Sequence, residues 1–200
     1  MTAAADLEEA ARVLASGGVV LLPTDTIYGL HALATSSAAV SRIAAIKGRG
    51  DDKPFVVLAS SIQQVEALGA RIAADARRVL DQLWPGPLTA ILSLEKPIAA
   101  SRGESSIAIR VPDRDWLRTL IEKTGALAST SANRSGDEPI SSPNELTNHL
   151  RSSIDFIIDE GILEGKASTI VDFTSDAPRV VREGEHFFTQ KVWKTLWKSL

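Results

Sequence analysis

The sequence KGRGDDKP at residues 47–54 separates a stretch with helical periodicity from a short apolar run at residues 55–59. The helical pattern ends at Gly48, a residue type that suits the left-handed geometry found at helix ends. The apolar run predicts a strand that begins directly after the loop. The loop therefore joins a helix to a strand, and it places three cations and two glycines between these two elements.

This loop is suited to hold an anion. Because regular structure fixes both of its ends, Lys47, Arg49 and Lys53 form a fixed array, and arginine offers a planar fork that matches a carboxylate or a phosphate. The alternative is a solvated turn whose charges face water, since short basic loops are common. The loop alone leaves both interpretations open, and a functional site requires other elements that converge on it.

Polar loops follow two other predicted strands. An apolar run at residues 19–22 leads into the loop 23–30, which carries Thr24, Asp25 and Thr26, and the strand 126–128 leads into the serine-rich residues 129–136. Loops that leave strand ends are favoured ligand positions, and such turns can surround a phosphate. Ordinary hydrogen-bonded turns are the alternative for both loops.

The segment 105–112 predicts a strand with two different faces. Its alternation places Ile107, Ile109 and Val111 on one face and Ser106, Ala108 and Arg110 on the other. An arginine between small residues leaves room for a ligand, which favours a binding role for Arg110. The alternative is an edge strand whose charge discourages aggregation.

Helical spacing and capping signals predict the remaining framework. The predicted helices are one capped by Asp6, one from Ser36 or Ser37, one from Ser60 or Ser61, two over residues 76–83 and 116–121, and one from a capping box at Ser142. Strands are predicted at residues 90–92, 154–159, 168–172 and 179–184, and Trp84 is interpreted as a cover over the core. Residues 187–200 predict an amphipathic helix, with docking on the protein body as the default and docking on a partner or a membrane surface as alternatives.

Length and composition exclude several classes of protein. Two hundred residues with 44% hydrophobic content can bury one core but leave little room for a second full domain. The formal charge of -3 argues against an extended nucleic-acid or membrane footprint, so any anion site must be local. Without cysteine there are no disulfides, zinc–thiolate sites or thiol nucleophiles. The N-terminus lacks a signal-peptide pattern, and the sequence predicts a soluble cytoplasmic protein.

The residues that carry chemistry favour anion binding over covalent catalysis. His31, His149 and His186 have no acidic partners at metal-ligand spacing, so no protein-only metal site is predicted. The sequence contains no P-loop, no dinucleotide fingerprint and no nucleophile elbow. What remains is a set of strand-end hydroxyls with five cations, which suits a nucleotide together with a small acid. These cations are Lys47, Arg49, Lys53, Arg110 and Arg182.

Five motifs occur in the order seen in one protein family. They are residues 23–30, Lys47-Gly48-Arg49 with Lys53-Pro54, residues 84–89, residues 129–133 and Ser168-Thr169. Through these motifs the chain resembles the threonylcarbamoyl-AMP synthases, also called the YrdC-like family, from about Ala10 to Gly184. The resemblance implies a single α/β domain over residues 1–186, with a twisted mixed or parallel sheet and flanking helices around a cationic cavity, followed by the helix 187–200.

The resemblance also implies an activity. Members condense L-threonine, bicarbonate and ATP into L-threonylcarbamoyladenylate and release pyrophosphate, and Mg²⁺ accompanies the ATP. The product then passes to a tRNA threonylcarbamoyl-transferase complex, which makes threonylcarbamoyladenosine on tRNA. No membrane partner is implied, and direct contact with tRNA is left open.

The resemblance implies roles for eleven residues of this sequence. Lys47 and Arg49 form the family's lysine-x-arginine pattern and are the predicted catalytic residues. The predicted threonine-binding residues are Thr26, Arg110, Ser129 and Ser168, and the predicted nucleotide-binding residues are Arg49, Lys53, Ser106, Ser131, Asn133 and Arg182. The sequence departs from many members at Gly50, which replaces a proline, and from some at Lys53 and Leu58, which replace an asparagine and a histidine. The extra C-terminal domain of the longer members is expected to be absent.

Two other functions remain as alternatives. One is an RNA-binding module that acts on tRNA or ribosomal RNA through a cationic concavity, although the acidic net charge and the lack of a basic stripe with aromatic residues weigh against it. The other is an enzyme that makes a carbamoyl-adenylate from a different carbamate, as related domains in hydrogenase maturation do.

Overall fold

Ten strands form one mixed sheet at the centre of the protein in the computed structural model, which describes residues 3–48, 53–133 and 138–184. The strands are β1 (Val20–Pro23), β2 (Tyr28–Leu33), β3 (Val56–Leu58), β4 (Ala70–Arg71), β5 (Leu88–Leu94), β6 (Ser106–Arg110), β7 (Leu127–Ser131), β8 (Phe156–Ile157), β9 (Thr169–Asp172) and β10 (Arg179–Arg182). The helices are α1 (Ala4–Ala15), α2 (Ser37–Lys47), α3 (Ile62–Ala67), α4 (Ala74–Leu83), α5 (Asp115–Thr124) and α6 (Asn148–Ser152).

The strands lie in the order β10-β9-β5-β6-β3-β7-β2-β1-β8, and β4 pairs with the end of β5. Three pairs are parallel, namely β1 with β8, β3 with β6 and β5 with β9, and the other pairs are antiparallel. The mixed sheet with its flanking helices confirms the α/β fold that the resemblance implies.

Two hydrophobic clusters cover the two faces of this sheet. The larger cluster packs α2, α3 and α4 against one face, through residues such as Ile43, Val65 and Leu80. The smaller cluster packs α1 and α5 against the other face, through residues such as Leu14 and Leu120. Burial of these apolar side chains supplies the main driving force for the fold.

The described residues cover the second face only in part. Residues paired across neighbouring strands point to the same side of a sheet. Leu58 on β3 pairs with Arg110 on β6, and Ala108, two residues before Arg110, pairs with Ile91 on β5. All four residues therefore lie on one face. Leu58 belongs to the cluster under α1 and α5, whereas Ala108 and Ile91 are partly exposed. The face covered by α1 and α5 over β3 and β7 thus continues as an open surface over β6, β5 and β9.

Several predicted helix boundaries are confirmed. The hydroxyl of Ser36 accepts a hydrogen bond from the backbone N–H of Ala39 at the start of α2, and Gly48 ends this helix with a φ of 61°. Ser61 caps α3 in the same way. Trp84 is buried, and its indole N–H donates to the carbonyl of Leu88. This agrees with the prediction that Trp84 covers the core.

One predicted helix start is wrong, and a second is confirmed only as a short 3-10 turn. Asp6 lies in the first turn of α1 and does not cap it, since the N-cap residue is Ala3 and makes no side-chain hydrogen bond. Ser142 starts only a single 3-10 turn at Pro143–Glu145, because Leu146 is extended and ends it. The helix in this region, α6, begins three residues after Glu145 with the hydroxyl of Thr147 as its cap.

The sequence patterns missed strand β2. Residues 23–30 were predicted as one polar loop, but the turn is confined to the residues between β1 and β2, and the two strands pair from Pro23 with Tyr28 to Val20 with His31. Strand β2 is buried on both faces over most of its length, so it shows no apolar–polar alternation. His31 in this strand is fully buried, and burial lowers its pKa to about 4.

The predicted strand at 154–159 is also shorter than expected and covers only Phe156–Ile157. Arg49 with its neighbours in the basic loop, and the predicted helix 187–200, lie outside the described residues. Within the three described ranges, none of the helices has the length and apolar character needed to cross a membrane.

Candidate ligand-binding cavity

A cavity of about 450 Å³ lies on the open part of the sheet face. Its wall is formed by the turn between β1 and β2, by the ends of β3, β6 and β7, and by the chain around β9 and β10. Nine of the eleven predicted site residues line it, namely Thr26, Lys47, Lys53, Arg110, Ser129, Ser131, Asn133, Ser168 and Arg182. The structure thus brings together side chains from six separate segments of the sequence.

Arg110 is the most enclosed cation of the cavity. Its side chain is 5% exposed, and strand β6 aims it at the β1–β2 turn. Its Nε donates to the carbonyl of Gly86 at 3.0 Å, and its Nη1 donates to the hydroxyl of Thr26 at 2.8 Å. The same Thr26 hydroxyl lies 2.9 Å from the hydroxyl of Thr24. Arg110 and Thr26 are therefore held together by a hydrogen bond, so both can contact the same ligand.

A carboxylate and a second guanidinium adjust the electrostatics of Arg110. Asp25 Oδ1 lies 2.5 Å from Arg110 Nη2. Burial lowers the pKa of Arg110, and the neighbouring carboxylate of Asp25 opposes this effect. Burial also lowers the pKa of Arg182, and the positive charge of Arg110 lowers it further. Both arginines line the cavity, where their like charges repel each other and favour a bound anion.

Lys47 connects the end of α2 to the turn after β7. Its Nζ donates to the carbonyls of Ser131 at 2.7 Å and Asn133 at 2.5 Å, and it also contacts the side-chain amide oxygen of Asn133. The hydroxyl of Ser131 donates to that same amide oxygen at 2.5 Å. Lys47 is buried, so its charge orders this turn in addition to making the cavity cationic.

Ser168 and Arg182 form another part of the cavity wall. Arg182 Nη2 donates to the carbonyl of Ser168 at 2.8 Å, and the Ser168 hydroxyl lies 2.7 Å from that of Thr89. Strand β10 contains a bulge that directs Arg182 towards the cavity. Val180 pairs with Val171, but the next residue to pair, opposite Ile170, is Arg182 and not Val181. The extra residue, Val181, shifts Arg182 to the face that it would not occupy in a regular strand.

Two predicted site residues are not placed in the cavity. Ser106 lies on the same sheet face as Arg110, at the start of β6, where it pairs with Ser93. Ala108 and Arg110 line the cavity, but Ser106 does not. Arg49 lies outside the described residues. The nucleotide-binding roles of both residues and the catalytic role of Arg49 stay predictions.

Sequence reasoning missed two contributors to this site. Thr89 is fully buried in strand β5, and its place at the end of the motif 84–89 is a signal that could have identified it. Gly165 passes so close to the β1–β2 turn that a Cβ atom there would lie 2.2 Å from the carbonyl oxygen of Thr26. The glycine at position 165 is the sequence sign of this close approach.

Comparison with known proteins identifies relatives over most of the chain. The profile of the Sua5/YciO/YrdC family, described as telomere recombination, matches residues 12–184. The threonylcarbamoyl-AMP synthase of Pyrococcus abyssi is 35% identical over 88% of this chain and 53% of its own length. The putative threonylcarbamoyl-AMP synthase of Mycobacterium tuberculosis H37Rv is 34% identical over 84% of this chain and 79% of its own length. The chain thus spans about half the length of the first relative and about four fifths of the second.

Solved structures support the same relationship. Sua5 of Pyrococcus abyssi in complex with L-threonine superimposes with a TM-score of 0.81 at 33% identity, over 89% of this chain and 54% of that one. YciO of Escherichia coli superimposes with a TM-score of 0.80 at 31% identity, over 89% of this chain and 88% of that one. With the family profile matched from residue 12 to residue 184, the chain belongs to the Sua5/YciO/YrdC family.

Proposed function

We propose that this protein is an L-threonylcarbamoyladenylate synthase, which condenses L-threonine, bicarbonate and ATP and releases pyrophosphate. The observation that supports this most strongly is the cavity itself, where Thr26, Arg110 and Ser168 meet Lys47 and Arg182 on one sheet face. The relatives from Pyrococcus abyssi and Mycobacterium tuberculosis carry the corresponding names, and Sua5 is known with L-threonine bound.

The reaction requires fixed positive charge. The amine of threonine combines with bicarbonate to give a carbamate and water. A carbamate oxygen then attacks the α-phosphorus of ATP, the bond from this phosphorus to the bridging oxygen breaks, and pyrophosphate leaves. Both reactants are anions, so cations that are held in place lower the cost of bringing them together. No protein nucleophile is needed for this sequence of steps.

The proposed roles follow the geometry of the cavity. Arg110 and Thr26 would bind the carboxylate of threonine, because both are buried and hydrogen-bonded to each other. Ser129 and Ser168 would contact the rest of the amino acid. Lys53 and Arg182 would bind phosphates, Ser131 and Asn133 would contact the nucleotide, and Lys47 would act on the reacting groups. The roles proposed for Arg49 at the phosphates and the reacting groups, and for Ser106 at the nucleotide, rest on the resemblance alone.

The cavity is also suited to magnesium that arrives with ATP. Among the described residues that line it, none is a carboxylate, and no cluster of three potential metal ligands occurs in the described part of the chain. Mg²⁺ is commonly bound through substrate phosphates and water, which needs few protein ligands. We therefore propose that Mg²⁺ enters on the phosphates of ATP and neutralises part of their charge.

The product determines which partner the protein needs. A carbamoyl-adenylate is a reactive mixed anhydride, so it must pass to an enzyme that transfers the carbamoyl group. We propose that this partner is a tRNA threonylcarbamoyl-transferase complex and that the protein acts in the cytoplasm, where tRNA is modified.

Pyrophosphate release from ATP tests this proposal. The full chain is incubated with ATP, Mg²⁺, bicarbonate and each amino acid in turn, and the adenylate product is identified by mass spectrometry. We expect release above the blank with threonine, and a product that carries both the threonyl and the adenylyl group. Release with another amine instead would indicate a different carbamate. No release with threonine, together with tight RNA binding at physiological salt, would favour the RNA-binding alternative.

A further inference from the structure

A buried carboxylate lies behind the wall of the cavity. Asp25 occupies the turn between β1 and β2, and its side chain is 12% exposed. Its neighbours Thr24 and Thr26 line the cavity, whereas Asp25 does not. Both of its carboxylate oxygens are buried. Asp25 is thus placed to act on another side chain and not on a bound molecule.

That side chain is Arg110. The guanidinium is held from three directions, by the carbonyl of Gly86 at Nε, by the hydroxyl of Thr26 at Nη1 and by Asp25 at Nη2. The contact with Asp25 is a short ion pair between two buried groups, and the negative charge of Asp25 opposes the lowering of the Arg110 pKa by burial.

Charge repulsion makes the orientation of Arg110 depend on a counterion. Arg182 lines the same cavity, and the positive charge of Arg110 contributes to the lowering of its pKa, although Arg182 itself is exposed. Two cations that share one cavity repel each other. Asp25 supplies the opposite charge on the side of Arg110 away from the ligand, and it thereby keeps the guanidinium against the β1–β2 turn.

We propose that Asp25 is a positioning residue, which holds Arg110 against Thr26 and Gly86 so that the guanidinium receives a monoanionic carboxylate from the cavity. In this role Asp25 does not contact the substrate. The inference rests on the proposed function only in taking this carboxylate to be that of threonine.

The first test separates the two substrates. In Asp25→Asn the shape is kept and the charge is lost, so we expect the Kd of threonine, measured by calorimetry on the full chain, to rise by about tenfold or more. The Kd of ATP should change by much less than that of threonine, since Asp25 contacts Arg110 and not the residues proposed to bind the phosphates. Asp25→Glu, which restores the charge, should recover part of the threonine affinity. Unchanged threonine affinity, or an equal loss for both ligands, would overturn the proposal.

The second test does not need a substrate. The Nε–Hε signal of Arg110 is observed in protein labelled with ¹⁵N-arginine and is identified by its loss in Arg110→Lys. In Asp25→Asn we expect its exchange with water to accelerate by about tenfold, because Arg110 leaves its fixed position more often. An unchanged exchange rate would contradict the positioning role. If the wild-type protein binds no threonine, the proposed function fails and this measurement alone decides the role of Asp25.

Glu66→Gln is the matched control. Glu66 on α3 pairs with Arg77 on α4, outside the cavity lining. We expect this variant to leave both the threonine affinity and the Arg110 signal unchanged. A circular-dichroism spectrum that matches the wild type establishes that each variant is folded.

Discussion

Arg110 is the residue on which the proposed threonine site depends most. Lysine at this position keeps a positive charge near Asp25 but loses the planar fork, which binds Gly86 and Thr26 at the same time. We expect Arg110→Lys to lower kcat/KM for threonine by about 100-fold and to change ATP binding by less than about threefold. Pyrophosphate release at varied threonine and calorimetry with ATP measure the two effects.

Arg179→Lys provides the control for this substitution. Arg179 pairs with Asp172 on β9, and its side chain is 71% exposed. Its replacement should leave both parameters within about twofold of the wild type, because exposed ion pairs contribute little. Equal losses for threonine and ATP in Arg110→Lys would show that the substitution disturbs the whole cavity and not one subsite.

His31 makes the stability of the protein depend on pH. The folded protein binds a proton at His31 only near pH 4, whereas an unfolded histidine binds one near 6.5. Protonation therefore favours unfolding between these values, and the stability contributed by neutral His31 is complete above pH 7 and is lost as the pH falls. The difference corresponds to about 3 kcal/mol at pH 4.

Urea unfolding between pH 4.5 and 7.5 measures this contribution. His31→Leu should reduce the slope of stability against pH, whereas His149→Gln, which alters an exposed histidine on α6, should leave the slope as in the wild type. Carboxylates add to the slope of all three proteins equally. Parallel curves for His31→Leu and the wild type would mean that His31 does not remain neutral in the fold.

At the scale of elements, the segment between β8 and β9 holds the turn between β1 and β2 in place. The Tyr28 hydroxyl accepts from the backbone N–H of Glu160 and donates to the carbonyl of Gly161, each at 2.9 Å. Further along, the backbone of Gly165 contacts the carbonyl of Thr26 with no room for a side chain. The position of Thr26, and through it that of Arg110, thus depends on a segment far away in the sequence.

Gly165→Ala tests this dependence. The added Cβ would lie 2.2 Å from the Thr26 carbonyl oxygen, so one of the two segments must move. We expect a loss of about 1–3 kcal/mol in the free energy of unfolding, since overpacking costs this much, and a lower kcat/KM for threonine. Glu164→Ala, at an exposed neighbouring position, should change neither value. Wild-type activity in Gly165→Ala would show that the turn does not rely on this contact.

Helices and strands with clear sequence signals at their ends were easier to predict than those without such signals. The cap at Ser36 and the stop at Gly48 each act within one helical turn of their own end of α2, and both ends of this helix agree with the sequence prediction. Strand β2 carries no such signal, because it is buried on both faces and contains both glycine and histidine. The bulge that aims Arg182 depends on pairing between two strands, which no single stretch of sequence specifies.

At the scale of the whole molecule, the cavity exists because the sheet brings distant residues together. Arg110 and Thr26 are 84 positions apart in the sequence, and their side chains meet at 2.8 Å. The residues alone indicated anion-binding loops and left a solvated turn or an ordinary loop open at each of them. The resemblance to a family joined these loops into one site, and the register of β3, β6 and β7 explains how they converge.

Ligands that bridge this sheet should stabilise the whole protein. The cavity is lined from strands on both sides of β6, so ATP and threonine bound together would connect β7 and β2 with β9 and β10. A ligand that binds only the folded state at 100 times its Kd adds about 2.7 kcal/mol, which raises Tm by several degrees. We expect ATP alone to raise Tm, and threonine to raise it further in the wild type but not in Arg110→Lys. Thermal unfolding followed by circular dichroism measures these shifts, and leucine serves as the control amino acid. A shift as large with leucine as with threonine would show that the cavity does not select threonine, and the substrate assignment would then be wrong.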